Sequence, residues 1–272
     1  SLQPSDFMKL ALVLVLAKYF SRRHVEIANI RHIVISGLYA IVPLVLILMQ
    51  KDFGSAVIIF LLWFGMTIVS GISKKHLLIV VTTATLAFGL LWVFAFTSNQ
   101  KARIVSFIKP LADVRGAGYN AFQSTIAVGS GELWGKGVGY GTQSRLEFLP
   151  EYETDFIFAA FAEEWGFVGV LVLFTLFGIV IWRILAISFK GDSNFESLYG
   201  IGLAIIFVSH FTINVGMNMG LLPVTGLTLP FVSYGGSHLL MEFAGLGILM
   251  GMRRYSRAFH RSQLQNEFFG GV

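Results

Sequence analysis

The sequence predicts an all-α protein that crosses a membrane several times. The chain has 272 residues, of which 55% are hydrophobic and only 13% are charged, and its mean hydropathy is +0.74. A soluble domain of this size would expose apolar surface that its few polar groups could not cover. The hydrophobic residues fall into long runs, separated by short connections and by one long polar stretch. We therefore expect a polytopic integral membrane protein.

Seven apolar runs are long enough, or nearly so, to cross a hydrocarbon layer of about 30 Å. Residues 97–155 separate the fourth run from the fifth and carry six acidic and six basic side chains. Such a loop contributes nothing to membrane residence, so function is expected there. We predict one membrane domain over residues 1–272, with 97–155 as a functional loop within it. The predicted spans are residues 5–20, 33–50, 55–73, 77–97, 156–182, 197–217 and 237–252.

The positions of the basic residues predict the orientation of the chain. Lysine and arginine follow the first, third, fifth and seventh runs, whereas the other connections are charge-balanced or uncharged. Under the positive-inside rule the basic connections are cytoplasmic, so residues 97–155 and Ser1 lie outside. An external N-terminus without an initial Met or a signal peptide predicts a fragment that follows an odd number of spans or a cleaved signal. The residues that set this orientation are Lys18, Arg22, Arg23, Arg31, Lys74, Lys75, Arg183, Lys190, Arg253, Arg254, Arg257 and Arg261.

Composition excludes several function classes. The net charge of +5 comes mainly from the cytoplasmic connections, so it reflects topology rather than nucleic-acid binding. The chain has no cysteine, which excludes disulfides, thiolate metal sites and cysteine nucleophiles. Membrane lipids are expected partners, and the basic tail Arg253–Arg261 is a candidate contact for anionic headgroups.

Ionisable and amide side chains at membrane depth are candidates for function, because hydrocarbon is an unfavourable environment for them. Asp6 and Lys9 are three residues apart on one predicted helix, so they can pair. Hydrogen bonding between helices and a role in a functional site both remain open for this pair and for the others. The others are Glu163, Glu164, His210, Asn214, Asn218 and Glu242.

Two features of the 97–155 loop have simple structural explanations. Its alternating glycines do not have the spacing of a phosphate-binding P-loop and follow no strand, which favours a flexible turn. Its basic side chains either bind an anionic group at the membrane surface or are solvated loop charges. The glycines are Gly135, Gly137, Gly139 and Gly141, and the basic residues are Lys101, Arg103, Lys109, Arg115, Lys136 and Arg145.

Asp155 lies where this loop enters the fifth apolar run. An acid at such a position is typical of a helix N-cap or of the first helical turn, where the helix dipole favours negative charge. A carboxylate at the outer lip of a helical bundle is equally suited to act as general base for a sugar hydroxyl. The two roles are compatible, because capping would fix the position of the carboxylate.

The chain also carries a set of short motifs that extends from its first run to its last. Gly-Thr-Gln-Ser at 141–144 leads into Leu-Glu-Phe-Leu-Pro-Glu at 146–151 and then into Thr-Asp-Phe-Ile-Phe at 154–158. These motifs resemble the SEDS family (shape, elongation, division and sporulation), and Gly-Thr-Gln-Ser is more similar to its RodA branch than to its FtsW branch. The other matching segments are Gln3-Pro4-Ser5 with Lys9, Arg103 with Phe107, Gly118-Tyr119 with Gln123-Ser124, Gly129-Ser130-Gly131, Ala162-Glu163-Glu164, Gly220–Gly226 and Leu229–Ser237.

The resemblance implies an enzymatic function. SEDS proteins are ten-span peptidoglycan glycosyltransferases of the bacterial cytoplasmic (inner) membrane that polymerise lipid II, each with a class B penicillin-binding protein. Three spans would then precede this chain, in agreement with an external N-terminus. The RodA-like segment implies a role in cell elongation. The implied substrates are lipid II and a polyprenyl-diphosphate-linked glycan.

The resemblance also assigns roles to individual residues. The family's essential loop aspartate corresponds to Asp155, and a nearby functional acid corresponds to Glu147, so these two are the predicted catalytic residues. The family's acid–lysine pair corresponds to Asp6 and Lys9, although Asp6 stands where Glu is usual and reaches less far. Glu153 stands where His is common, which makes the site more acidic. The predicted substrate-binding residues are Arg103, Lys9, Asp6, Ser233 and Gly235.

The implied reaction is a single displacement with inversion. Asp155 would take the proton from the acceptor's 4-hydroxyl as that oxygen attacks the anomeric carbon of the donor, and the diphosphate would leave. Its charge would be stabilised by Arg103, by Lys9 or by a divalent cation, Mg²⁺ or Mn²⁺, for which the sequence shows no clear ligand set. Two alternatives stay open: a flippase or transporter of lipid-linked precursors, and a non-catalytic scaffold for cell-wall enzymes.

Overall fold

The chain folds into ten helices in the part that the structure, a computed structural model, describes. That part comprises residues 3–22, 30–94, 96–108, 117–146, 148–149 and 151–269. Within it every regular element is a helix, which confirms the predicted fold class. The helices are α1 (Pro4–Ser21), α2 (Ile30–Met49), α3 (Phe53–Val69), α4 (Lys74–Phe94), α5 (Ser98–Ile108), α6 (Ala117–Ser130), α7 (Thr142–Arg145), α8 (Ile157–Ser188), α9 (Asn194–Asn218) and α10 (Gly236–Phe269).

Each of the seven predicted spans falls on one of the longer helices, namely α1 to α4 and α8 to α10. Four of these, α2, α4, α8 and α9, are long and apolar enough to cross a membrane by length and composition alone. Helix α3 is apolar but has only 17 residues, and α1 carries Asp6, Lys9 and Lys18. The polytopic character is therefore established, whereas the count of seven spans stays a prediction.

Helix α9 forms the centre of the bundle, and α1, α3 and α8 pack against it. Its side chains Leu203 and Phe207 are buried with Leu16 of α1 and Leu62 of α3 in one hydrophobic core. The close approach of these helices depends on small residues. A Cβ at Gly202, for example, would lie 2.9 Å from a methyl group of Val13. By contrast, α4 has no buried residue along its whole length.

The 97–155 stretch, predicted as one polar loop, contains three helices, α5, α6 and α7. Helix α6 packs against both α8 and α9, and it buries Ser124 and Ala127 completely. Helix α6 is therefore folded onto the bundle, where its small side chains Ser124 and Ala127 fit closely against its two neighbours.

Helix α8 is broken at Gly166, whose φ of 63° and ψ of −168° lie outside the helical region. The segment at residues 135–141, called here the glycine-rich turn, and the two residues Glu132 and Leu133 before it pack against this break. The amides of Phe167 and Val168 donate to the carbonyls of Glu132 and Leu133, at 2.9 and 3.1 Å. A Cβ at Gly135 would overlap the Glu164 carbonyl, so only glycine fits there. The segment is a turn, as expected. Gly135 is explained by the close contact of its backbone with α8, not by a need for a flexible chain.

Candidate active site

Asp155 precedes helix α8 without capping it. The N-cap position belongs to Phe156, so the interpretation of Asp155 as the N-cap is wrong. Among the described residues, the hydrogen bonds made to Asp155 all go to its backbone carbonyl. The carboxylate is half-buried and lies against Gly226, where a Cβ would stand 3.3 Å from Asp155 Oδ2. A carboxylate that is not used to cap a helix retains its lone pairs for a proton.

The electrostatic surroundings of Asp155 make it a stronger base than an ordinary aspartate. Burial raises the pKa of its carboxyl group, and the negative charge of Glu151 raises it further. The positive charge of Arg103 opposes these effects, and the negative charge of Asp52 adds to them. The balance leaves the pKa above its ordinary value. A raised pKa increases the affinity of the carboxylate for a proton, as general-base chemistry requires.

A cavity of about 210 Å³ lies beside this aspartate. The connections that follow α2, α4 and α9 all contribute to its walls, which agrees with the prediction that all three lie on one side of the membrane. Thr225 lies on the cavity wall, and the next residue, Gly226, contacts the Asp155 carboxylate. Lys51 and Arg103 both line this cavity, so two positive charges can neutralise an anion bound there. The lining residues are Lys51, Phe53, Phe96, Thr97, Gln100, Arg103, Ile104, Pro223, Val224 and Thr225.

The predicted pair Asp6 and Lys9 belongs to a second, buried polar cluster. Lys9 Nζ lies 3.1 Å from Asp6 Oδ1 and 3.2 Å from His210 Nε2. His238 Nδ1 is 3.5 Å from Asp6 Oδ1, and its Nε2 is 2.9 Å from Glu242 Oε1. That last contact does not meet the geometry of a hydrogen bond, and it is an ion pair when His238 is protonated. The cluster therefore joins α1, α9 and α10.

The structure does not bring all predicted substrate-binding residues together. Arg103 lines the cavity beside Asp155, whereas Asp6 and Lys9 line a separate space of about 30 Å³. Ser233 is almost fully buried. Among the described residues that line either space, neither Ser233 nor Gly235 occurs. Glu147, the second predicted catalytic residue, lies outside the described residues.

Glu163 serves as the anchor of the glycine-rich turn. Its fully buried carboxylate accepts hydrogen bonds from Lys136 Nζ at 2.7 Å and from Thr142 Oγ1 at 2.8 Å. The amides of Thr142 and Gln143 donate to it as well, at 2.9 and 3.1 Å. These contacts favour the structural interpretation of Glu163. Its partners could not be assigned from the sequence, because they depend on how the turn folds back onto α8.

Side chains of α9 and of the connection after it form hydrogen bonds with the backbone around Asp155. Asn214 Nδ2 donates to the Asp155 carbonyl at 2.9 Å, and Asn218 Nδ2 donates to the same oxygen at 3.1 Å. Ser233 Oγ donates to the Thr154 carbonyl at 2.7 Å. The sequence indicated the polar stripe on α9, but its partners were not predicted. The site therefore combines a half-buried carboxylate, which does not cap a helix, with a cationic cavity at one end of the membrane bundle.

Comparison with known proteins identifies the class. The family model described as "Cell cycle protein", which represents FtsW, RodA and SpoVE, matches residues 1–258. The chain belongs to this family, the SEDS family. It is 38% identical over 260 residues to the peptidoglycan glycosyltransferase MrdB of Escherichia coli (strain K12), covering 96% of this chain and 70% of that protein. It is 36% identical over 264 residues to the stage V sporulation protein E of Bacillus subtilis (strain 168), covering 94% and 70%.

Solved structures agree with this assignment. A chain of a peptidoglycan synthase complex that coordinates polymerization and crosslinking superposes with a TM-score of 0.76 at 30% identity, covering 93% of this chain and 70% of that one. The rod shape determining protein RodA of Thermus thermophilus superposes with a TM-score of 0.64 at 29% identity, covering 93% and 66%. Both similarities extend over nearly all of this chain.

Proposed function

We propose that this chain belongs to a peptidoglycan glycosyltransferase that polymerises lipid II during cell elongation, with Asp155 as its general base. Membership of the family and similarity to relatives named peptidoglycan glycosyltransferase support the class of enzyme. The observation that carries the catalytic assignment is the Asp155 carboxylate, which is half-buried, does not cap α8 and has a raised pKa beside the cationic cavity. The proposed location is the bacterial cytoplasmic membrane.

The reaction is a single displacement at the donor sugar. Asp155 takes the proton from the 4-hydroxyl of the acceptor lipid II as that oxygen forms a bond to the anomeric carbon of the donor strand. The bond from that carbon to the polyprenyl diphosphate breaks, and the diphosphate leaves with the electron pair. Attack from the opposite face converts the α-linked donor into a β-1,4 product. One well-placed base is sufficient, because no covalent glycosyl-enzyme is formed.

The leaving diphosphate requires positive charge. Arg103 and Lys51 both line the cavity and are available for this role, whereas the ammonium group of Lys9 is paired with Asp6 and His210. Among the described residues, no group of three His, Asp or Glu side chains is arranged to hold a metal ion. We therefore assign no step to Mg²⁺ or Mn²⁺.

A lipid-linked substrate also requires a lateral path for its tails. Helix α4 buries none of its residues, and the ring of Phe96, just beyond α4, packs against Phe53 with their centres 5.2 Å apart. Both aromatic residues line the cavity. This side of the cavity, flanked by a helix that packs loosely on the bundle, is the proposed entry for the polyprenyl chain.

The decisive experiment is reconstitution of the full-length protein in lipid vesicles with lipid II. A glycosyltransferase forms glycan polymer, a flippase moves lipid II without forming polymer, and a scaffold does neither. Asp155→Asn is the test variant, and Asp192→Asn is its matched control, because it makes the same change in an exposed residue after the other end of α8. Translocation without polymer from the wild-type protein would replace this proposal by the flippase.

The proposed partner is a class B penicillin-binding protein. This proposal is supported by the similarity to a chain of a peptidoglycan synthase complex that combines polymerization with crosslinking. Co-purification of the full-length protein with such a partner, followed by a comparison of polymerisation with and without it, tests the proposal. A polymerisation rate that no partner changes would contradict it.

A further inference from the structure

Three successive backbone carbonyls at the candidate base are each held by a separate donor. The amide of Tyr234 donates to the Glu153 carbonyl at 2.9 Å. The hydroxyl of Ser233 donates to the Thr154 carbonyl at 2.7 Å, and Asn214 Nδ2 donates to the Asp155 carbonyl at 2.9 Å. None of these donors lies in the same element as the acceptors. Together they fix the direction in which the chain presents the Asp155 side chain.

The donors on α9 are themselves rigidly placed. Asn214 and Asn218 are fully buried and lie four residues apart, so they face the same way. Asn218 Oδ1 accepts from the Ala159 amide at 3.2 Å and from Ser124 Oγ at 3.1 Å. This single amide group therefore joins α6, α8 and α9. Satisfied, buried polar groups of this kind resist displacement, because breaking them leaves unpaired donors and acceptors.

The same donors also fix the wall that faces the carboxylate. Asn214 Nδ2 donates to the Leu227 carbonyl at 2.7 Å as well as to Asp155. Ser233 Oγ accepts from the Leu229 amide at 2.7 Å. Gly226, against which Asp155 Oδ2 rests, immediately precedes Leu227 in the chain. The backbone of Asp155 and the segment beside Gly226 are therefore held by the same group of hydrogen bonds.

We propose that Asn214, Asn218 and Ser233 are positioning residues that hold the Asp155 carboxylate in its reactive orientation. This group of three side chains, called here the backbone clamp, binds the backbone carbonyls of Thr154 and Asp155 and contacts no substrate. The inference rests on the proposed function, because it concerns the geometry of the proposed base. It also reassigns Ser233, whose hydroxyl is occupied by two backbone groups rather than presented to the cavity.

Ser233→Ala is the sharpest test, because it removes one hydroxyl with little change in volume. Ser36→Ala is the matched control. Ser36 is equally buried, its hydroxyl likewise donates to a carbonyl, that of Ile33, and accepts an N–H, that of Trp63. Ser36 lies in α2, and its bonds are to α2 and α3 rather than to the Glu153–Asp155 segment. Ser233→Thr keeps the hydroxyl, and Asn214→Ala provides a second clamp variant.

The measurements are kcat and KM for lipid II polymerisation by the full-length protein in liposomes, together with the melting temperature. Small displacements of a catalytic group reduce rates by up to about 100-fold. We expect Ser233→Ala to lower kcat roughly tenfold with an almost unchanged KM, and Ser233→Thr to restore it. The acid limb of the pH profile of kcat should also shift, because a displaced carboxylate has changed distances to Glu151 and Arg103. Ser36→Ala should change the melting temperature alone.

The possible outcomes separate the clamp from the proposed function. Loss of polymer in Asp155→Asn, together with wild-type kcat and pH profile in folded Ser233→Ala, would overturn the clamp and leave the base in place. Polymer formation at nearly the wild-type rate by Asp155→Asn would overturn both. If Asn214→Ala does not fold, Ser233→Ala alone decides. Equal losses of kcat in Ser233→Ala and Ser36→Ala would show a purely structural role and would also overturn the clamp.

Discussion

The ammonium group of Lys9 lies 3.2 Å from Nε2 of His210, across a sequence separation of 201 residues. His210 Nδ1 lies 3.3 Å from the Thr228 carbonyl. If Nδ1 carries the imidazole proton, Nε2 is left as an acceptor for Lys9. With Asp6 on its other side, the lysine connects α1 to α9 inside the bundle. This relationship favours a stabilising role for the pair and places it apart from the cavity that contains Arg103.

Lys9→Met should therefore destabilise the protein. The substitution leaves the buried Asp6 carboxylate without its lysine, and removal of one member of a buried pair typically destabilises by about 3–5 kcal/mol. Thermal unfolding of the detergent-solubilised protein is the measurement. Lys18→Met, at an exposed position of the same helix, is the control. A Lys9→Met protein that melts with the wild type while losing substrate affinity would return Lys9 to the substrate site.

Arg103→Ala should weaken the binding of the anionic lipid-linked substrate. Arg103 lines the cavity, and a hydrogen bond to a charged group contributes about 1.5–3 kcal/mol, which corresponds to roughly a 10- to 100-fold loss of affinity. Binding of labelled lipid II to the purified variant measures the effect. Lys101→Ala changes a neighbouring cation on α5 that does not line this cavity and serves as the control. Equal affinities for both variants and the wild type would remove Arg103 from the site.

The predicted orientation can be tested by cysteine labelling, because the chain has no native cysteine. Val138 is exposed in the glycine-rich turn, and Asp192 is exposed in the connection after α8. We expect Val138→Cys to react with a membrane-impermeant maleimide added to whole cells, and Asp192→Cys to react only after the cells are opened. The reverse pattern would invert the topology and with it the placement of the cavity outside.

The apolar runs were sufficient to predict where the long helices lie, because a membrane span is specified by local hydrophobicity. Helices α5, α6 and α7 were not predicted, since segments of 11, 14 and 4 residues are too short to form a membrane span. Resemblance to the family gave Asp155 a role that its position alone left open. Contacts between segments far apart in the chain could not be predicted from the sequence, and Ser233 is an example. It was predicted to bind substrate, but its hydroxyl bonds to Thr154 and Leu229.

The pH dependence of polymerisation should report the charges around Asp155. A general base acts when deprotonated, so activity falls as the pH drops through its pKa, and a raised pKa moves this acid limb to higher pH. Glu151→Gln removes a charge that raises the pKa of Asp155, so the limb should move to lower pH. Arg103→Ala removes a charge that lowers this pKa, so the limb should move to higher pH. Shifts in the same direction would show that the limb belongs to another group.

Asp155→Asn should abolish polymerisation and leave the bundle folded. The hydrogen bonds that tie this residue to α9 go to its backbone carbonyl, and asparagine keeps that carbonyl and the size of the side chain. Only the basicity is lost, and loss of a general base typically reduces the rate about 10²- to 10⁴-fold. The substitution also removes a half-buried negative charge close to Glu151, so the melting temperature should not fall.

The measurement for Asp155→Asn is the glycan polymer formed per unit time by the purified full-length protein, with the melting temperature recorded on the same sample. Asp192→Asn should retain the wild-type rate, because it makes the same chemical change away from the cavity. A folded Asp155→Asn protein with more than about a tenth of the wild-type rate would be incompatible with loss of a general base. The catalytic role would then pass to Glu147, and Glu147→Gln would be the next variant to measure.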